Sequence, residues 1–320
     1  MKKLISQPNA SIQQLIVLAD QASNFALHSK SANTIRGYKS DWINFTNWCK
    51  SNGLVSLPAS SEVLALYLTA FSQVLKVATL SRHLASIGEA HRTAGLLSPT
   101  ESKEVQLVWR GIRRTKGVKQ EVKLPIMTDD LRKAFVSFRQ DLKGLRDRSL
   151  LLLGYTGAFR RSELVSLDLS DLQFVPEGIT ITLRHSKTDQ ESEGLLKAIP
   201  YSSSLELCPV RSLQEWLRAS SITEGALFRS MGKGNRLLTT RLSDRAVALV
   251  VKELIESQGG DSEKYSGHSL RAGFVSEAAK QGANDHEIMK QTGHHSREMV
   301  SRYVRHISVW QQNASTKLGL

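Results

Sequence analysis

A chain of 320 residues with 43 Lys and Arg against 30 Asp and Glu carries a net charge of +13, which points to a polyanionic partner in a protein large enough for two ordinary domains. Apolar runs such as Leu150 to Leu153, with Gly154 and Tyr155 behind it, fall far short of the ~20 residues of a membrane span, and the opening MKKLISQPNASIQQ has no signal-peptide core. Two cysteines in unrelated contexts, Cys49 and Cys208, make neither a disulfide framework nor a metal site and fit a reducing, cytoplasmic setting.

The charge is uneven, with 15 basic residues against 6 acidic ones in residues 1–120 and 28 against 24 in the remainder. Helical periodicity dominates the first third. Ile12, Leu15, Ile16 and Ala19 open a stripe that Ser11 can cap, so residues 1–30 read as an N-terminal helix and tail. Ile35, Tyr38, Trp42, Phe45 and Cys49 form the next stripe, after a cap at Ser31 or Asn33. A helix is expected from Thr79 to Thr93, with Leu80, Leu84 and Ile87 facing the core and Arg82, His83, Ser86 and Arg92 facing outward. Residues 31–114 therefore read as a small all-helical domain.

The stretch GIRRTKGVKQEVKLPIMTDD, residues 111 to 130, is basic and aperiodic; 115–126 is expected as a linker, and Thr128 as the cap of the following helix. From 127 to 320 the pattern is mixed. GITITL (178–183) alternates Ile179, Ile181 and Leu183 with threonines, and LKAIPY (196–201) can pair with it across the polar turn SKTDQESEG. Residues 205–320 read as mostly helical. The expected fold class is mainly α: an all-helical N-terminal domain, then a mixed α+β domain with a small antiparallel sheet.

Several chemistries lack their motifs. No P-loop or dinucleotide glycine pattern is present, and MGKGN (231–235) lacks the strand-to-helix context of either. No carboxylate cluster suits two-metal phosphodiester cleavage, so neither metal nor cofactor is expected. What stands out is a density of basic and imidazole groups with one tyrosine, in FRRSEL (159–164), HSKTD (185–189), GHSLRAGF (267–274), TGHH (292–295) and SRYVRH (301–306).

In order and spacing these strings resemble the tyrosine recombinases, or phage-integrase family. That signature runs Arg, Lys, His-x-x-Arg, then His or Trp nine residues before a nucleophilic Tyr, and His294 and Tyr303 stand nine apart. The resemblance makes Arg160 the first arginine, with Glu163 supporting it and Arg161 the competing choice. It makes Lys187 the hairpin lysine, with Arg184 and Lys197 as fallbacks. His268 and Arg271 become the His-x-x-Arg pair, His294 the later histidine with His295 as alternative, and Tyr303 the nucleophile. TIRGYKSDWINFTNWCKSNG and GIRRTKGV look like the family's core-binding domain, and CPVRSLQEWL and LFRSMGKGN like connecting segments of its catalytic domain.

Physical chemistry suits these residue types. Two guanidiniums can each donate paired hydrogen bonds to the nonbridging oxygens on which charge builds during attack on a phosphodiester. A phenol of pKa near ~10 needs cationic surroundings and a nearby base to become a nucleophile. The strongly basic leaving oxygen needs a proton donor, a role for a positioned lysine. The reading is a site-specific recombinase that holds cut DNA as a 3′-phosphotyrosine, with a homotetramer acting on two DNA sites in association with the nucleoid. Alternatives are a telomere resolvase or type IB topoisomerase, and a non-catalytic DNA-binding regulator.

For the duplex, Arg36, Lys39, Lys76, Arg82, Arg92, Arg241 and Arg245 are candidate phosphate contacts, and His83 and Ser86 candidates for base readout. The two domains and their basic linker are expected to close as a clamp on DNA. With about thirty residues before Ser31, no separate arm-binding domain is expected. After the tyrosine, Ile307, Trp310, Ala314 and Leu318 recur at near-helical spacing, a stripe that docks on a neighbouring protomer or folds back on its own domain.

Overall fold

The computed structural model describes residues 30–117, 123–136, 138–184, 194–294 and 296–304, together with Val17, Leu18 and Gln21; for Ala32 and for residues 302–304 it describes the backbone alone. The chain divides into two compact units, Met1–Glu121 and Val122–Leu320.

The first unit is helical. Helix α1 (Ala32–Ser51) starts where the Ser31 side chain accepts from the Thr34 amide. Its stripe is buried only toward its C-terminal half: Phe45 and Cys49 are fully enclosed, Trp42 is half-buried and Ile35 is exposed. Helices α2 (Ser61–Ser72) and α4 (Lys103–Lys116) are capped in the same way by Ser60 and Ser102. Leu64, Tyr67 and Leu68 of α2 and Val105 of α4 close the core over Leu80 and Ile87 of α3 (Val77–Thr93).

The polar side of α3 departs from the sequence reading. His83 and Ser86, expected to face outward and read bases, are both 3 % exposed. That side packs against α1, where Ser86 Oγ donates to the Tyr38 carbonyl at 2.7 Å. His83 stands between the Tyr67 hydroxyl, 2.7 Å from Nδ1, and the buried Asp41 carboxylate, 3.1 Å from Nε2. Arg82 closes the chain with two bonds to Asp41, at 2.6 and 2.9 Å. A carboxylate is tolerated inside because its lone pairs are taken by a guanidinium and an imidazole. Neither His83 nor Ser86 is available to a base edge.

In the second unit, residues 123–126 are docked, although they were expected as linker. The Leu124 and Ile126 amides donate to the Lys264 and Ser269 carbonyls, and Ile126 is fully buried. Helix α5 (Thr128–Val136) is not capped by its threonine: Thr128 Oγ1 lies 2.9 Å from the Tyr155 hydroxyl, while the Asp130 carboxylate takes the Met127 amide. The apolar run Leu150–Leu153 is buried on every side within α6 (Leu142–Thr156). Short α7 (Arg161–Ser166) precedes an antiparallel sheet ordered β1 (Leu172–Val175), β2 (Gly178–Leu183), β3 (Leu195–Pro200).

The β2–β3 register pairs Ile179 with Ile199 and Ile181 with Lys197, so alternation places Lys197 on the buried face and Leu196 in solvent. Helix α8 (Pro209–Ser220) buries Trp216, whose Nε1 donates to the Leu227 carbonyl. A ribbon of β4 (Arg229–Met231) and β5 (Leu237–Arg241), unforeseen in a region read as helical, leads into α9 (Asp244–Glu256). Helices α10 (Ser269–Lys280), α11 (Asp285–Thr292) and α12 (Arg297–Val304) complete the unit and meet through Val275, Ile288 and Val300.

Candidate active site

The site grows from the end of α6. After Gly157 the backbone turns through Ala158, a non-glycine residue at φ +48°, and delivers Arg160 to the start of α7. Glu163, one turn on, takes the Arg160 amide on Oε2 and the Arg160 guanidinium on Oε1. Glu163 is buried while the Arg160 side chain keeps 19 % exposure, so the carboxylate locks an arginine that remains partly open to solvent. Arg161 is exposed, with its stem lying against Gly267, where a Cβ would come within 2.1 Å of Arg161 Cδ.

Helix α10 brings the next pair. His268 stands at its N-cap and Arg271 in its first turn, with the Arg271 guanidinium almost wholly enclosed and Nη1 donating to the Ala158 carbonyl at 2.7 Å. Helix α11 begins with a reciprocal cap between Asn284 and Glu287 and ends at Gly293 in the left-handed conformation, the turn that carries His294. His294 is 9 % exposed, and its Nδ1 lies 2.9 Å from Thr292 Oγ1. That hydroxyl spends its proton on the Ile288 carbonyl, at 2.7 Å, so it accepts from Nδ1–H and leaves Nε2 as the acceptor.

Electrostatics show how closely these groups converge. Burial pushes the His294 pKa down to about 3, reinforced by Arg271, Arg160, His268 and Lys197. His268 is also lowered, first by burial against its neighbours and then by Arg271, Arg160 and Arg161, although the residue as a whole is exposed to solvent. Both imidazoles are thus neutral at neutral pH. Lys197 belongs to the same cluster, with its pKa brought down to about 7 by burial and then by Arg271.

Tyr303 has its backbone in the last turn of α12, which Val300 anchors against α10 and α11. Its side chain lies outside the described residues, as do Lys187, His295 and the stripe from Ile307 to Leu318. Lys197 and Gln291, which the sequence reading held only as a fallback and not at all, line the same turn before Arg160. Alternation along β3 is the signal that turns Lys197 inward beside Ile199.

Residues 125–308 match the model of the phage integrase family. Over 314 residues, 97 % of this chain and 92 % of the relative, the sequence is 38 % identical to an integrase/recombinase xerD homolog of Selenomonas ruminantium. The chain belongs to the phage integrase family. It is a site-specific DNA recombinase of the tyrosine type.

The recombinase cre of Escherichia phage P1 is another relative of this integrase, 26 % identical over 280 residues, 81 % of this chain and 80 % of its own. The fold is shared with the Tn1549 transposon integrase, solved with transposon right-end DNA, at a TM-score of 0.59 and 16 % identity over 86 % of this chain and 90 % of that one. Among the described residues of the integrase no helix is long and apolar enough to cross a membrane.

Of its candidate phosphate contacts, Arg36, Lys39, Lys76, Arg92 and Arg245 are exposed. Arg82 keeps half its side chain in solvent while bonded to Asp41. Arg241 is committed within the protein: it donates to the Val165 and Leu167 carbonyls at 2.8 and 3.0 Å and pairs with Asp168, tying β5 to the end of α7. Its side chain nevertheless keeps 39 % exposure, so this internal role stands beside the phosphate contact expected from sequence.

Proposed function

We propose that this recombinase cuts and rejoins DNA through a 3′-phosphotyrosine at Tyr303, with Arg160 and Arg271 as the phosphate clamp. The observation that carries the reading is the meeting of Arg160, His268, Arg271 and His294 in one cluster, where Arg271 and Arg160 lower the proton affinity of both histidines and His268 lowers that of His294. Such a cationic pocket attracts an anion and favours a phenolate.

In the forward step the Tyr303 oxygen bonds to phosphorus and the bond to the 5′-oxygen breaks. The phenol proton passes to a neutral imidazole, for which Nε2 of His294, its acceptor nitrogen, is suited. Lys187 supplies the proton that the departing 5′-oxygen takes up. The ester conserves the bond energy, so a 5′-hydroxyl of another strand reverses the step without nucleotide. The charge stabilisation that a metal provides in other phosphoryl transfers comes from two arginines.

Recombination joins two sites, each cut on both strands, and we assign the working assembly as a homotetramer on two duplexes, held in the nucleoid by its DNA. Exposed Arg36, Lys39, Lys76, Arg92 and Arg245 supply phosphate contacts. The test uses a binding site selected from a randomised duplex pool and nicked near its centre to trap cleavage. Tyr303→Phe removes only the hydroxyl, so binding is expected to stay within twofold of wild type while SDS-resistant adducts disappear. Adducts that persist in Tyr303→Phe would move the nucleophile elsewhere.

A further inference from the structure

The carbonyl of Thr156, the last residue of α6, and those of Gly157 and Ala158 in the turn beyond it have no partner further along the helix, and all three are taken by side chains from three other elements. Gln291 Nε2 of α11 donates to Thr156 O at 3.1 Å, Lys197 Nζ of β3 to Gly157 O at 2.8 Å, and Arg271 Nη1 of α10 to Ala158 O at 2.7 Å. This turn leads within two residues to Arg160. Lys197 also donates to the carbonyl of Gln291 itself, three residues before His294. Its ammonium lies 5.1 Å from the centre of the Phe159 ring, and the residue is 2 % exposed. One enclosed cation is therefore bonded to the stretch entering Arg160 and to the stretch entering His294.

We infer that Lys197 is a positioning residue for strand cleavage, a buried pin that fixes Arg160 and His294 relative to one another and, through α11 and α12, the register of the helix that carries Tyr303. Packing alone does not call for an ammonium here. The position faces Ile181 across the sheet and follows the same face as Ile199, where an aliphatic residue would fill the space without the cost of desolvating a charge. Lys197 also stands among like charges, Arg271 and Arg160, with the Glu163 carboxylate opposing them. A phosphate gripped by the arginines would relieve that repulsion, so the pin and the clamp tighten together when DNA binds.

The inference rests on the assignment of Arg160, His294 and Tyr303 proposed above. Its rival is that Lys197 itself delivers the proton to the leaving oxygen. The full-length protein is compared with Lys197→Met and Gln291→Ala on trapped single-site DNA, with either oxygen or sulfur at the 5′-bridging position. Lys197→Met is expected to bind within twofold of wild type while its single-turnover cleavage at saturating protein falls about 100-fold, the effect of a misplaced reacting group. The loss is expected to be equal on the sulfur substrate, whose thiolate leaves without a proton. Gln291→Ala is expected to lose less, and the double variant to be no slower than Lys197→Met, because both act on one turn.

A wild-type cleavage rate in Lys197→Met would overturn the inference. Recovery on the sulfur substrate would overturn it in favour of the proton donor. If Lys197→Met loses binding because it does not fold, Gln291→Ala decides, and wild-type cleavage in that variant would end the proposal. Tyr303→Phe run beside them separates the two levels: adducts in that variant would sink the nucleophile assignment, whatever the lysine does.

Discussion

His294 and His268 are built to be neutral, and that has a cost visible without DNA. Burial and neighbouring guanidiniums hold both below the ordinary histidine value, His294 down to about 3. An unfolded histidine titrates near ~6.5. Between those values the unfolded chain binds more protons than the native one, so stability falls as pH drops below about 6.5 and is level above it. For His294 the loss is of order 1 kcal/mol between pH 7.5 and 5.5, and His83, lowered mainly by burial, adds to it in the same direction. Urea unfolding at the two pH values is expected to show that decrease, and His294→Asn to reduce it. A flat profile would mean that the ring is solvated in the native state. At this scale the sequence picked out Arg160, His268, Arg271 and His294, which the fold gathers into one cluster, because arginine and histidine at fixed spacing are visible in one dimension. It did not show what His83 faces. Its partner Asp41 lies on another helix, and a polar residue whose partner is remote reads as surface.

Helix α10 is held between α6 and the docked segment 123–126, and Gly273 marks the closest approach of that segment to α10. A Cβ there would lie 1.8 Å from the Ile126 carbonyl oxygen and 3.0 Å from the Tyr155 ring. Gly273→Ala must therefore push residues 123–126 off α10, two residues from Arg271. A loss of about 1–3 kcal/mol in urea unfolding is expected, with a slower cleavage step as Arg271 shifts. An unchanged midpoint would show that the segment yields freely. Elements were legible where local signals were strong. The serine cap of α1 and the alternating β2–β3 pair obey rules that act within a few residues. The β4–β5 ribbon was not legible: β4 is three residues of RSM and carries no alternation, and its pairing is fixed by partners such as Arg241 with Val165 and Asp168. The docking of 123–126 was hidden for a similar reason, since a basic aperiodic stretch reads as linker until Ile126 meets its core.

In the homotetramer proposed above, cutting would wait until the neighbouring protomers are in place. The stripe of Ile307, Trp310, Ala314 and Leu318 follows the proposed nucleophile directly, and a tail docked head-to-tail on the next protomer would close a ring while setting Tyr303. Truncation after His306 is expected to leave one-site binding largely intact and to abolish two-site complexes in native gels. Normal two-site complexes would remove the tail from assembly, and loss of one-site binding would mean that it folds back on its own domain. The most direct test of the chemistry is to find where DNA becomes attached. Wild-type protein is trapped on nicked duplex, digested, and the nucleotide-bearing peptide sequenced by mass spectrometry, with the DNA end identified by labelling. The expected result is a single adduct on Tyr303 joined to a 3′-phosphate, with a free 5′-hydroxyl on the other side of the cut. An adduct on any other residue, or attachment through a 5′-phosphate, would contradict it.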